Sequence, residues 1–186
     1  MRLRRTTTLA WLAGAAALAA AADPPPGWML RGSDPQAYEM SMDDAMPREG
    51  HPTLSLRSRA SSAGFGTAMK MDPAADFLGK KIRLSAAVKC EDVRGRAALW
   101  LRVDGAEKGA MLAFDNMHDR PLRGTVDWKR HEIVLPVSSE ARQIAYGVLL
   151  GGEGRTWFDG VTLEIVPDDV PVTGGPKPPA NLGFEE

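Results

Sequence analysis

A cluster of polar side chains lies in the stretch MLAFDNMHDRPLRG, where Asp115, Asn116, His118 and Asp119 fall within five residues. Carboxylate and amide oxygens are the ligands that calcium takes from a flexible loop, although the D-x-D-x-D-G spacing of an EF-hand is not present. The same residue types also hold turns between strands through local hydrogen bonds to the backbone. The cluster is therefore either the rim of a ligand or calcium site or only a turn.

The sequence offers little for catalysis. The three histidines and the single cysteine, Cys90, stand at none of the paired spacings that zinc sites use. No G-x-S-x-G motif is present, and no nucleophile has a recognisable base. The adjacent acids Asp43-Asp44 and Glu91-Asp92 are typical of solvated turns. We therefore expect no enzymatic activity and no certain cofactor.

A second candidate combines an aromatic ring and a cation in the segment AALWLRVDG. Alternation along a strand places Leu99, Leu101 and Val103 on one face and Trp100 with Arg102 on the other. If the aliphatic face is the buried one, the opposite face presents an aromatic ring beside a cation. If the faces are reversed, Trp100 belongs to the core, where large aromatic side chains are more often found.

Short apolar segments alternate with turn residues from Gly27 onward, which predicts an all-β sandwich. The predicted strands are 28–31, 37–42, 53–59, 64–71, 82–90, 97–103, 111–116, 129–137, 143–150 and 156–166. Only DPAADFLGK predicts a helical turn, which begins at Asp72-Pro73 and ends at Gly79.

The opening of the chain has the three parts of an export signal, namely a basic start, an apolar middle and an A-x-A end. We therefore predict that residues 1–22 are a cleaved signal peptide and that the protein is exported, periplasmic or extracellular. The alternative, a membrane anchor, is disfavoured because the apolar run is shorter than the about 20 residues that a spanning helix needs. After cleavage we expect no association with a membrane.

The charge balance argues against nucleic acid as a partner. The chain has 23 Lys and Arg against 24 Asp and Glu, and the three arginines of residues 1–22 leave 20 against 24, a net charge of −4. Such a surface has no electrostatic attraction for nucleic acid or anionic lipid. One cysteine allows no internal disulfide, so the domain depends on its core.

We divide the mature chain into a sandwich over 23–166, a linker over 167–180 that is rich in Pro and Gly, and a strand-like segment, NLGFEE, over 181–186. The alternative for the last segment is a frayed terminus.

The segments FGTAMKM, FLGKKIRLSAAVKCEDVRGRAALWLRVDG, AFDNMHDRPLRGTVDWKRHEIVLPV and GRTWFDGVTLEIV together resemble bacterial jelly-roll domains of the galactose-binding or carbohydrate-binding-module type. Within that group they resemble a subfamily of which some members are labelled transcriptional regulators. The resemblance implies a jelly-roll β-sandwich of two antiparallel sheets. The regulator label fits poorly, because the chain has no helix-turn-helix pattern.

The resemblance implies a non-catalytic module that stacks a sugar on an exposed aromatic ring, with polar side chains for the hydroxyls. The candidate ligand-binding residues are Trp100, Arg102, Asp115, Asn116 and Tyr146. The resemblance also suggests a structural calcium ion at Asp159, whose parity matches Val161, Leu163 and Ile165 and so predicts an inward side chain. The alternative is a carboxylate that accepts backbone N–H groups of a turn.

Two other functions stay open. Domains of this type often begin with an N-L-x-F-E strand, which here stands at 181–186 instead. That segment predicts a protein partner or second module bound by strand addition. A small-molecule sensing domain would instead have a deep apolar pocket.

Overall fold

The computed structural model describes residues 23–174, so the predicted signal peptide, residues 175–180 of the linker and the terminal segment 181–186 lie outside the described residues. Within the described residues the strands are β1 Met29–Gly32, β2 Tyr38–Arg48, β3 His51–Ser58, β4 Phe65–Pro73, β5 Lys81–Asp104, β6 Met111–Asp115, β7 Leu122–Pro136, β8 Gln143–Gly151 and β9 Arg155–Val166. Two short 3₁₀ helices span Pro35–Ala37 and Ala75–Phe77, and the second is the predicted helical turn. No helix within 23–174 has the length and apolar character needed to cross a membrane.

All strand pairs are antiparallel, and they form two layers that share β5. One layer, which we call the groove sheet, has the strand order β1-β4-β8-β5-β6 and uses residues 96–104 of β5. The other, the back sheet, has the order β7-β5-β9-β3-β2 and uses residues 81–91 of β5. The predicted all-β sandwich is confirmed.

Strand β5 runs through both layers without a break, whereas the sequence predicted two strands, 82–90 and 97–103. The register against β7 shifts between Val88 and Ala97. Asp92 has a φ of 50°, and a Cβ on Gly95 would lie 2.1 Å from the carbonyl oxygen of Gly151. These bulges bend the strand from one sheet to the other while β7 stays paired with it. Strand β7 accordingly begins at Leu122, before the predicted start at 129.

The core lies between the two sheets and is one continuous cluster of buried side chains. The predicted inward rows of β5 are confirmed, since Leu84, Val88, Leu99, Leu101 and Val103 are all fully buried. Burial of these apolar side chains is the main contribution to the stability of a domain without a disulfide. Cys90 is also buried, and burial raises the pKa of its thiol.

One titratable side chain points into this core from β7. His131 pairs with Ala86 across the sheet and is half-buried, and its Nε2 has no hydrogen-bond partner within residues 23–174. Burial lowers the pKa of His131, and the nearby positive charges of Lys129 and Arg120 lower it further.

Candidate functional site

A groove crosses the outer face of the groove sheet, which is the face that carries Trp100 and Arg102. Its cavity volume is about 370 Å³. Register explains why these side chains meet. Trp100 pairs with Gly147 on β8, which pairs with Met69 on β4, and Arg102 pairs with Phe114 on β6. Paired residues of an antiparallel sheet point to the same side, so β4, β5, β6 and β8 contribute to one surface, and Arg31 and Gly32 of β1 extend it.

Trp100 forms part of the groove floor. Its side chain reaches across β8, and its indole N–H donates a hydrogen bond to Thr67 Oγ1 on β4 at 2.8 Å. The Thr67 hydroxyl in turn donates to the carbonyl of Val148 at 3.0 Å. Trp100 is only 7% exposed, which corrects the expectation of a displayed aromatic ring. A Cβ on Gly147 would lie 2.0 Å from the carbonyl oxygen of Ala68, so the glycine allows β8 to approach the backbone of β4 closely.

The more exposed rings of the groove belong to Phe65 and Phe114, which are 36% and 38% exposed. Phe65 begins β4, and Phe114 lies on β6 at the opposite side of the groove. Phe65 was not among the predicted ligand residues. The alternation Phe65, Thr67, Met69 in FGTAMKM could have identified it, because all three line the groove.

Cationic and polar side chains border the same surface. Arg31, Arg96 and Arg102 line the groove together with Asn116, whereas no Asp or Glu is among the lining residues within 23–174. The Nε of Arg102 forms an ion pair with Asp104 at 2.9 Å. Sequence analysis predicted Arg102 and Asn116 as ligand residues but not Arg31, which lies on β1, or Arg96, which lies six residues before Arg102 on β5.

Asp115 does not line the groove. It pairs with Leu101, so its side chain points to the opposite side of the sheet and is buried. Its carboxylate forms an ion pair with Arg120 at 2.5 Å and accepts the backbone N–H of Met117 at 2.8 Å. Met117 has a φ of 52°, so the carboxylate holds a tight turn. That turn brings Asn116 to the groove. The polar cluster is therefore a turn that also supplies one residue to the rim of the groove.

Tyr146 is also separated from the groove. It pairs with Leu101 and belongs to the core, where its ring and that of Trp28 are nearly perpendicular at a centroid distance of 6.2 Å. The Tyr146 hydroxyl donates a hydrogen bond to Asp72 at 2.6 Å, and burial, with this carboxylate beside it, raises the pKa of Tyr146. The structure thus brings together three of the five predicted ligand residues, Trp100, Arg102 and Asn116.

The prediction that Asp159 continues an inward row is wrong. The register between β5 and β9 shifts by one residue between Ser85 and Ala87, and Gly160 has a φ of 58° at this bulge. The shift reverses the face of Asp159 relative to Val161. Its carboxylate forms an ion pair with Arg48 at 3.2 Å on the outer side of the back sheet. Within residues 23–174 no group of three or more His, Cys, Asp or Glu side chains could hold a metal ion.

No family model matches the chain. A relative is the uncharacterized HTH-type transcriptional regulator YbfP of Bacillus subtilis (strain 168), which is 39% identical over 168 residues. The match covers 86% of this chain and 57% of the relative, so the chain spans little more than half of the relative's length. The predicted likeness to a protein labelled as a regulator is confirmed.

Several solved structures share the fold at low identity. The enzymatically active domain of tailspike protein 4 from bacteriophage CBA120 has a TM-score of 0.56 at 12% identity, over 76% of this chain and 20% of that chain. The C-terminal family 22 carbohydrate-binding module of Clostridium thermocellum Xyn10B has a TM-score of 0.53 at 14% identity, over 75% and 86%.

TmCBM61, solved in complex with β-1,4-galactotriose, has a TM-score of 0.50 at 14% identity, over 76% of this chain and 90% of that chain. These likenesses show the fold, which is the β-sandwich of carbohydrate-binding modules, as the sequence resemblance predicted.

Proposed function

We propose that this chain is a non-catalytic carbohydrate-binding module and that the groove holds the sugar. The observation that carries the proposal is the composition of the groove. Aromatic and apolar side chains form its floor and sides, and a few polar groups stand at its border, which is the usual composition of a ligand site. The fold is shared with modules whose names state that they bind carbohydrate.

Each groove residue has a distinct part in the proposed mechanism. The partly exposed faces of Phe65 and Phe114 stack on the C–H faces of sugar rings, since such faces are apolar. Trp100 is the positioning residue beneath them, fixed by its bond to Thr67. Arg102 donates hydrogen bonds to ring hydroxyls, and the Asn116 amide can donate and accept. No bond of the sugar is broken.

The open shape of the groove favours a glycan as the ligand over a small molecule that requires an enclosed pocket. Phe65 and Phe114 are each more than one third exposed, so a ligand can enter along the surface of the sheet. A chain of sugar rings can extend beyond such a groove at both ends, whereas a small effector requires enclosure on most sides.

The test compares binding by two variants of one strand. Phe114→Ala should weaken binding of β-1,4-linked xylo- and galacto-oligosaccharides by about tenfold, or about 1.4 kcal/mol, in isothermal titration calorimetry. Leu112→Ala is the matched control, because Leu112 is 40% exposed on the same strand but does not line the groove. Equal affinities for both variants, or no binding of any neutral or acidic glycan by the unsubstituted chain, would refute the proposal.

A ligand-sensing domain is the second candidate, and the relative named as a transcriptional regulator favours it. In that case the groove would bind a soluble mono- or disaccharide and signal to a partner domain. Binding of short sugars with an affinity that does not increase with chain length would favour sensing. An affinity that rises with chain length would favour attachment to polysaccharide.

We also propose that residues 1–22 direct export and are then removed. The basic, apolar and A-x-A parts of this segment support the proposal. Mass spectrometry of the protein recovered from cells should find Asp23 as the first residue. An uncleaved amino terminus in the cytoplasmic fraction would contradict it.

A further inference from the structure

We propose that the saccharide bound in the groove is anionic and that Arg31 and Arg96 bind its carboxylate, an inference that rests on the proposed glycan-binding function. The starting point is the charge of the groove. Among the described residues three arginines and no carboxylate line it, although the chain as a whole has a formal net charge of −1. A concentrated positive charge in a concave, largely apolar surface attracts anions more strongly than the same charges would on an open surface.

The three arginines differ in what already binds them. Arg102 is neutralised by Asp104. Arg31 donates to the carbonyl of its neighbour Leu30, at 2.9 Å, and Arg96 contacts the ring Nδ1 of His118 at 3.3 Å. Within residues 23–174 neither Arg31 nor Arg96 has a carboxylate within ion-pair distance, so both guanidinium groups keep donors for a ligand.

Several other arginines on sheet surfaces of this protein are paired with carboxylates, whereas Arg123 and Arg130 on β7 donate to a backbone carbonyl and to hydroxyl groups. Arg57 binds Glu39 at 2.7 Å, Arg83 contacts Glu164 at 3.5 Å, and Arg155 binds Asp43 at 2.7 Å. Arg31 and Arg96 differ from these paired arginines, and they differ from Arg123 and Arg130 because they line the groove.

Strand register places both arginines beside an aromatic ring. Phe65 pairs with Gly151 on β8, and Gly151 pairs with Arg96 on β5. Because Gly151 has no side chain, Phe65 and Arg96 border one opening in the sheet. Arg31 pairs with Thr67, two residues from Phe65 on the same face. A sugar ring stacked on Phe65 would thus have a cation on each side of it.

The chemistry selects a carboxylate. A planar guanidinium group matches the two oxygens of a carboxylate with two parallel N–H donors, and such charged hydrogen bonds are about twice as strong as neutral ones. A uronic acid offers this group on the ring that the aromatic side chain stacks against. A neutral sugar would leave the two cations without a counter-charge.

The experiment uses a glucuronic-acid-bearing xylo-oligosaccharide and the same compound after its carboxylate is reduced to a primary alcohol. We expect the purified chain to bind the acidic form about tenfold more tightly in isothermal titration calorimetry, the amount that one charged hydrogen bond contributes. Raising NaCl should weaken binding of the acidic form and leave the reduced form unchanged.

Arg31→Gln and Arg96→Gln should each remove most of this preference without changing affinity for the reduced form. Arg94→Gln is the control, because it removes the same charge two residues away at an exposed site that lies outside the groove. Thermal unfolding of all three variants should stay close to that of the unsubstituted chain, since the side chains lie at the surface.

The outcomes separate the two proposals. Equal affinity for the acidic and reduced forms, with no effect of either arginine substitution, overturns the anionic ligand and leaves glycan binding in place. No binding of either form or of any neutral oligosaccharide overturns glycan binding and this inference together.

Discussion

Trp100→Ala is predicted to destabilise the fold, because the Trp100 side chain is almost completely buried in the floor of the groove. The side chain is 7% exposed, packs with the core cluster and gives its N–H to Thr67. Removal of a buried tryptophan costs the transfer free energy of the ring and leaves a cavity, about 3–5 kcal/mol in total. The Thr67 hydroxyl also loses a partner.

The change should be measured by urea unfolding followed by far-UV circular dichroism. For a domain of this size, about 2–4 °C of melting temperature corresponds to each kcal/mol, so a loss of about 6–20 °C is expected as well. Trp100→Phe is the control, since it keeps an aromatic ring and loses mainly the hydrogen bond, about 1 kcal/mol. If Trp100→Ala unfolds within about 1 kcal/mol of the unsubstituted chain, the indole is not anchored in the sheet and the description of the groove floor is wrong.

Two further predictions concern titration and metal. Burial lowers the pKa of His131 in the folded chain below the ordinary value near 6.5. The unfolded chain therefore binds more protons at this residue, so the free energy of unfolding should fall as the pH drops below about 6.5. The free energy of unfolding, measured with urea between pH 5 and 7, should depend less on pH for His131→Gln than for the exposed-site control His51→Gln. An equal pH dependence in the two variants would contradict the assignment. Calcium followed by chelation should leave the melting temperature unchanged, since Arg48 already neutralises Asp159; a rise that Asp159→Asn abolishes would restore the calcium site.

Periodicity was sufficient for most of the fold. Alternation and turn residues predicted the strands and the buried face of β5. Side chains alternate between the two faces of a strand, so a row of apolar residues identifies the face that is buried. It failed where the chain departs from regular pleating. The sequence predicts a break between two strands at residues 91–96, but these residues form a bulged continuation of β5. Nothing in the residue types shows whether such a segment ends a strand or bends it.

The same limit explains the outcome for the site. Asp115 and Tyr146 lie close to groove residues in sequence or in register, but one step along a strand places a side chain on the other face. Asp159 changed face through a single extra residue at Gly160. Arg31 and Arg96 were missed because their part in the groove depends on how β1, β4, β8 and β5 are ordered. Strand order follows from long-range pairing, which local pattern does not contain.

The separation of roles within the groove bears on how a ligand would be held. The floor is rigid, since Trp100, Thr67 and the Val148 carbonyl form one hydrogen-bonded chain across three adjacent strands. The contact groups at the border, by contrast, are more exposed, since Phe65 and Phe114 are 36% and 38% exposed. A rigid floor lowers the entropic cost of binding, because only the border side chains must be ordered. Weakening the floor through Thr67→Val should therefore lower affinity for every glycan alike, whereas changes at Arg31 or Arg96 should alter the preference between glycans.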